Sequence, residues 1–129
     1  MKITNIVLTL ALLSFAAVQY NDPDAFIWIM IYVSTAFLTG ATLVNKYHTT
    51  ITQLLMFILS INLFLLLPDF SHAVANYNPN TVLSPNVTHT ANIQTEIFKE
   101  VGGLIICLLV LTFVFWQSKK TASNRLQRI

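Results

Sequence analysis

Long runs of apolar residues alternate with short polar stretches along the whole chain. A membrane-spanning helix needs about 20 apolar residues, because the hydrocarbon core of a bilayer is ~30 Å thick and a helix rises ~1.5 Å per residue. Four segments approach this length, two of them being slightly short, and their apolar cores lack Asp, Glu, Lys, Arg and His. The predicted spans cover about residues 3–20, 24–44, 50–67 and 93–117.

The connections between these spans differ in length and polarity. Residues 20–24 and 45–50 are short and predict tight antiparallel turns, whereas residues 68–92 form a long polar segment that must lie outside the hydrocarbon. Residues 118–129 form a polar, basic tail. We therefore predict an all-α membrane protein, a four-helix antiparallel transmembrane bundle, with residues 1–129 as a single domain.

The basic residues predict how the chain is oriented in the membrane. Six of them lie at the N-terminus, in the second connection and in the tail, whereas the only one on the opposite side, Lys99, precedes the apolar core of the fourth span. Short cytoplasmic segments carry an excess of Lys and Arg. Both termini are therefore expected in the cytoplasm, residues 68–92 on the other side, and the protein in a bacterial inner membrane or its equivalent.

A cleaved signal peptide is an alternative interpretation of the first apolar segment. Met1-Lys2, the apolar run and Ser14-Phe15-Ala16 resemble a signal peptide with cleavage after Ala16, which would leave three spans. The polar residues 19–24 lead directly into the next helix, which favours a hairpin of two retained spans instead.

Composition narrows the class of protein further. Hydrophobic residues make up 55% of the chain and charged residues 9%, where soluble proteins carry about 25% charged residues. This disfavours a soluble domain, a disordered chain and a nucleic-acid binder, because no basic groove is available for phosphates. One cysteine excludes an intramolecular disulfide and a cysteine-based zinc site. The expected environment is the lipid bilayer, with no cofactor and no metal.

The first polar block that could carry function is the turn between the first two spans. It contains Gln19, Asn21, Asp22 and Asp24. Asn21 or Asp22 can cap the second helix, and Asp24 then faces the positive end of the helix dipole. Alternatively, the block forms a polar binding site at the outer mouth of the bundle, and the two roles are compatible.

The second polar block precedes the apolar core of the fourth span. Glu96 and Glu100 share a helix face, and Lys99 can pair with Glu96. One interpretation is a solvated helix end with weak ion pairs. The other places Glu100 at the membrane boundary, facing the bundle, where an ionisable group indicates function. Chain parity puts both blocks on the same side of the membrane, so together they are candidates for one ligand site.

These blocks resemble a known family. Gln19, Asn21-Asp22-Pro23-Asp24, Lys99-Glu100 and Gly103-Leu104 are similar to the signature of transmembrane protein family 220. That family comprises small multi-pass membrane proteins of unassigned biochemical function. The resemblance implies a membrane protein with no known enzymatic activity, and it supplies no mechanism.

A few further residues give weaker indications. Trp28, Tyr32 and Trp116 lie near predicted helix ends, where aromatic residues commonly mark the membrane interface. Asn62 lies deep in the third span, where its amide is expected to hydrogen-bond a neighbouring helix. His72 and His89 belong to the polar segment with Asp69, and their spacing matches no zinc motif, which favours a solvated loop over a metal site.

The absence of a catalytic motif shapes the functional expectation. We expect a non-enzymatic accessory or partner-binding subunit of a membrane assembly, in contact with other membrane protein subunits. The alternative is binding or transport of a cation or lipid headgroup at the outer carboxylates. A membrane enzyme that uses two of those carboxylates as acid and base is a third interpretation.

Overall fold

A computed structural model describes residues 1–82 and 89–129, and within these ranges the chain is helical without any strand. The glycosylation-like motif Asn86-Val87-Thr88 lies outside the described residues. The helices are α1 (Lys2–Val18), α2 (Ala25–Ala41), α3 (Thr49–Ala75), α4 (Pro79–Val82) and α5 (His89–Leu126).

Four of the described helices, α1, α2, α3 and α5, are long and apolar enough to cross a membrane. This confirms the predicted all-α, multi-pass membrane protein with four spans. The cytoplasmic location of the two termini stays a prediction, since it depends on charge distribution alone.

The α1–α2 hairpin closes as tightly as its short connection predicts. A 3₁₀ turn over Gln19–Asn21 follows α1, and α2 starts at Ala25. The helices approach closely at Gly40, where a Cβ atom would lie 3.6 Å from the methyl group of Thr9. Ala36, one turn before Gly40, is buried. These small residues therefore form the internal packing face that the Ala-xxx-Gly spacing indicates.

The C-terminal end of α2 is fixed by a left-handed asparagine. A 3₁₀ turn over Thr42–Val44 leads to Asn45, whose φ is 59°. The N–H of Asn45 bonds the Thr42 carbonyl, and the N–H of Lys46 bonds the Ala41 carbonyl, both at 3.0 Å. These two bonds form a Schellman motif, in which asparagine adopts the left-handed conformation more readily than most residues. The motif sets the direction in which the chain enters α3.

Helix α3 continues past the predicted end of the third span. Pro68 lies inside the helix and cannot donate the usual bond to the carbonyl of Phe64, yet the helix runs on to Ala75. Packing supplies the reason, because the rings of Phe70 and Tyr77 meet the Phe98 ring edge-on at centroid distances of 5.5 and 5.8 Å. Residues 68–75, assigned to a loop from the sequence, are therefore helical.

The chain divides into two compact units. The first unit comprises Met1–Met56 with Cys107–Ile129, and the second comprises Phe57–Ile106. The core of the first unit contains buried apolar residues of α1, α2 and the C-terminal half of α5: Leu12, Ala16, Ala36, Leu38, Val110, Leu111 and Val114. In the second unit, the buried apolar residues are Leu59, Ala73, Val101 and Leu104.

Candidate functional sites

The predicted outer block lies at the α1–α2 turn of the first unit. Asp24 is the N-cap residue of α2, but its side chain makes no capping bond to the backbone. Its carboxylate instead accepts a 2.8 Å hydrogen bond from the indole N–H of Trp28, one turn into the helix. Asp22 and Gln19 are half-buried, whereas Asn21 is exposed. The bond to Trp28 therefore orients the Asp24 carboxylate at the start of α2.

Trp28 and Tyr32 are interior residues of the first unit. They are 7% and 4% exposed, respectively, and their rings lie 6.2 Å apart. The Tyr32 ring is 5.8 Å from that of Phe15, and its hydroxyl lies near the side chain of Gln19. These two aromatics therefore face the interior and not the lipid, whereas Trp116 is 52% exposed. Their location at the membrane interface stays a prediction. Asp24 is therefore anchored to this aromatic pair through Trp28.

The second predicted block lies on α5 within the second unit. Glu96 and Glu100 are half-buried, and Lys99 is exposed. Phe98 on the same turn packs against Phe70 and Tyr77, which holds this part of α5 on the end of α3. The two predicted blocks thus belong to different units, and a ligand site shared between them stays a prediction.

A line of buried hydroxyl groups runs along α2 in the first unit. Thr35, Thr39 and Thr42 are fully or almost fully buried and follow Tyr32 at helical spacing. Thr35 and Thr39 each donate to the carbonyl four residues earlier, at 2.9 and 2.8 Å, and Thr42 donates to the Thr39 carbonyl at 2.6 Å. Thr35 also contacts the Cys107 thiol on α5. The interior of this unit is therefore polar along one face of α2.

This line ends at a reciprocal amide pair between α1 and α5. The Asn5 amide donates to Gln117 Oε1 at 2.8 Å, and the Gln117 amide donates to Asn5 Oδ1 at 3.0 Å. Asn5 also donates to the hydroxyl of Thr42 at 2.5 Å. All three side chains are buried. The pair closes one end of the first unit with a hydrogen-bonded polar layer.

A cavity of about 260 Å³ opens beside this amide pair. Its lining is basic and polar and contains no carboxylate. The sequence did not predict this cavity. The sequence features that could have indicated it are two amide residues inside predicted spans, Asn5 near the N-terminus and Gln117 next to the basic tail. The lining residues are Met1, Lys2, Asn5, Thr42, Asn45, Tyr47, Gln117, Lys120, Thr121 and Asn124.

The second unit has a cavity of its own, of about 280 Å³, beside Asp69 and His72. Its other lining includes Gln94, whose amide donates to the Asn76 carbonyl at 3.4 Å. No group of three or more His, Cys, Asp or Glu side chains that could hold a metal occurs among the described residues. The side chain of His89 lies outside that description.

The family of the chain follows from comparison with known proteins. The chain belongs to transmembrane family 220, whose pattern it matches over residues 11–116. The match includes both polar blocks, whereas Asn5, Gln117 and Lys120 lie outside it. No curated protein and no solved structure matches the chain.

Proposed function

We propose that the protein is a non-enzymatic, partner-binding subunit of a membrane assembly, and that α3 makes the contact. The observation that supports this proposal is that Asn62 exposes its carboxamide on the surface of α3, a long apolar helix. The proposed partner is a transmembrane helix that presents a hydrogen-bonding side chain at the same depth.

Helix α3 has the least buried apolar segment of the four membrane-length helices. Only 11% of its most apolar 18-residue window is buried, against 39% in the windows of α2 and α5. Phe57, Phe64 and Leu65 are all exposed large side chains on this helix. Lipid tails accommodate such apolar side chains well, so these residues alone do not require a protein partner.

Asn62, unlike these apolar side chains, favours a protein partner over lipid. Its amide donates to the carbonyl of Ile58 at 2.9 Å, within its own helix, rather than to a neighbouring helix as the sequence suggested. A carboxamide offers two donors and an acceptor with two lone pairs, and one bond to the backbone uses only one donor. In hydrocarbon, the remaining groups favour a second helix that can hydrogen-bond them, because water is absent there.

Site-specific photo-crosslinking in the native membrane tests this proposal. A photoreactive amino acid replaces Leu65, one turn after Asn62 and 67% exposed, and a matched control replaces Leu109, 65% exposed on α5. We expect a discrete protein adduct from position 65 only. The adduct should disappear with Asn62→Leu and persist with Asn62→Gln, which retains the amide.

Three results would contradict the proposal. Adducts with lipid alone at position 65 would show that no protein covers this face. An adduct that survives Asn62→Leu would show that the amide is not the recognition element. Adducts only with a second copy of this chain would replace the accessory role with self-association.

A second candidate function is binding of a cation or cationic lipid headgroup by the outer carboxylates. Two observations favour it: the family match contains both polar blocks, and the Asp24 carboxylate is held in place by Trp28. Calorimetric titration of purified protein with calcium chloride, and separately with a short-chain phosphatidylethanolamine, tests it. Asp22→Asn and Glu100→Gln should each weaken binding more than the matched Glu96→Gln; equal effects would contradict a site centred on Glu100.

A further inference from the structure

We propose that the cavity beside the Asn5–Gln117 pair binds a phosphate group, as carried by the headgroup of an anionic phospholipid. This site lies within the first unit, and it is separate from both the outer carboxylates and the α3 face. The proposal is independent of the partner-binding function and is tested independently.

The charge of the lining selects an anion. Lys2 and Lys120 line the cavity, and none of its ten lining residues is acidic. Lys120 is positioned by Trp116, because its ammonium nitrogen lies 5.2 Å from the centroid of that ring. A bound cation would meet two ammonium groups without a carboxylate to offset them, whereas an anion gains two charge-assisted contacts.

Neutral donors in the lining suit phosphate oxygens. The Gln117 amide has a second N–H beyond the one that it gives to Asn5, and Gln117 lines the cavity. The Tyr47 hydroxyl and the Thr121 hydroxyl lie 3.5 Å apart at the same wall. Phosphate presents several strong acceptor oxygens and is well matched to ammonium, amide and hydroxyl donors that converge from different elements.

The rigidity of the cavity floor supports a built site rather than a loose surface cluster. Asn5 and Gln117 are each 3% exposed and bond one another reciprocally. The Schellman motif at Asn45 fixes the part of the lining that Asn45 and Tyr47 form, because it determines the course of the chain between them. The donors are therefore placed before a ligand arrives, which reduces the entropy lost on binding.

The volume and location favour a lipid headgroup as the source of the phosphate. A cavity of about 260 Å³ holds roughly nine waters at ~30 Å³ each, enough for a headgroup but small for a larger organic ligand. The cavity lies at the ends of membrane-length helices, beside Trp116 and Tyr47, aromatic types common at the membrane interface. Anionic lipids concentrate in the cytoplasmic leaflet, where the positive-inside rule places this end.

Calorimetric titration of the full chain in a neutral detergent tests the proposal. The probes are dioctanoyl phosphatidylglycerol, dioctanoyl phosphatidylcholine and inorganic phosphate. Lys2→Gln/Lys120→Gln removes the charges of the two lining lysines, and Lys46→Gln/Lys119→Gln is the matched control, because neither of its lysines lines the cavity. All four lysines are exposed, so neither double variant disturbs the core. Thr121→Leu occupies the cavity without changing the charge.

We expect phosphatidylglycerol to bind the native chain, and the lining double variant to raise its Kd by at least about tenfold, the effect of one charge-assisted hydrogen bond. Thr121→Leu should also weaken binding, whereas the control double variant should change the Kd less than about threefold. Tighter binding of phosphatidylglycerol than of inorganic phosphate identifies the lipid as the source. Equal binding of both supports the phosphate site but assigns it to a free or soluble phosphate.

Two outcomes overturn the proposal. Equal losses in the lining and control double variants would show a diffuse surface attraction instead of a site. Both lipids carry a phosphate, so equal affinities for phosphatidylglycerol and phosphatidylcholine that are unchanged by the lining double variant would show that the acyl chains, and not the phosphate, determine binding.

Discussion

Asn5 and Gln117 are separated by 112 residues in sequence and exchange two amide hydrogen bonds in the interior of the first unit. One residue lies near the start of α1 and the other near the end of the apolar part of α5. The two bonds therefore connect α1 to α5. The amide pair also forms the floor of the basic cavity, so stability and the proposed phosphate site share a structural element.

The amide pair should show strong energetic coupling. Asn5→Leu leaves the buried Gln117 amide without its partner, and a loss of about 1–3 kcal/mol in the free energy of unfolding is expected. Gln117→Met should lower the free energy of unfolding less in the Asn5→Leu background than in the native chain, because the double variant leaves neither amide of the pair without its partner. A double-mutant cycle on detergent-solubilised protein, unfolded with SDS, measures the coupling; Asn62→Leu on the surface of α3 is the control. Additive effects would contradict this account.

Asp24 should stabilise α2 through Trp28. Asp24→Ala removes the acceptor of a buried indole N–H, and we expect a loss of about 1–3 kcal/mol. Asp24→Asn should cost less, because the amide oxygen can accept the same 2.8 Å bond. Unfolding followed by Trp28 fluorescence, in a Trp116→Phe background, measures both values. Equal losses for the two variants would show that charge, and not the hydrogen bond, is the stabilising feature.

The end of α3 should depend on Phe98. Phe98→Ala removes two edge-on aromatic contacts, worth about 0.5–1.5 kcal/mol each beyond the area that they bury. Hydrogen exchange of residues 70–77 should accelerate by about tenfold, corresponding to roughly 1.4 kcal/mol. Mass spectrometry of the exchanged protein gives the measurement, with residues 25–41 of α2 as the internal reference. Acceleration throughout both segments would indicate global destabilisation instead.

The membrane topology can be tested with single cysteines in a Cys107→Ala background. Asn78 and Ser123 are both exposed, so a cysteine at either position is accessible to a reagent. A membrane-impermeant maleimide should label them from opposite sides, with position 78 on the extracytoplasmic side. Labelling from the same side would rule out four spans, and a mature N-terminus at Ala17 would favour the signal-peptide interpretation.

The spans could be predicted from sequence because apolar length is a local property. The second span, expected over residues 24–44, corresponds to α2 from Ala25 with the 3₁₀ turn that ends at Val44. The extension of α3 past Pro68 could not be predicted, since it depends on packing against Phe98 rather than on local preference. The burial of Trp28 could not be predicted, because proximity to a helix end does not reveal which face of the helix is buried.

The candidate sites were predicted less completely for the same reason. The polar turn was found because its residues are contiguous in sequence, and the structure shows Asp24 bonded within it. The cavity was missed because its lining comes from the start of α1, the α2–α3 connection and the end of α5. No sequence period brings Lys2 and Lys120 together; only the fold does so.

The hydrogen bonds of the first unit also imply an order of events during synthesis. Thr35, Thr39 and Thr42 bond carbonyls of their own helix, so α2 can leave the translocon with these hydroxyl groups already satisfied. Asn5 is translated 112 residues before its partner Gln117. Thr42 can already accept from the Asn5 amide, but until α5 enters the bilayer the Asn5 carbonyl oxygen lacks its donor Gln117. A chaperone or insertase that shields that oxygen would therefore assist the nascent protein more than the finished one.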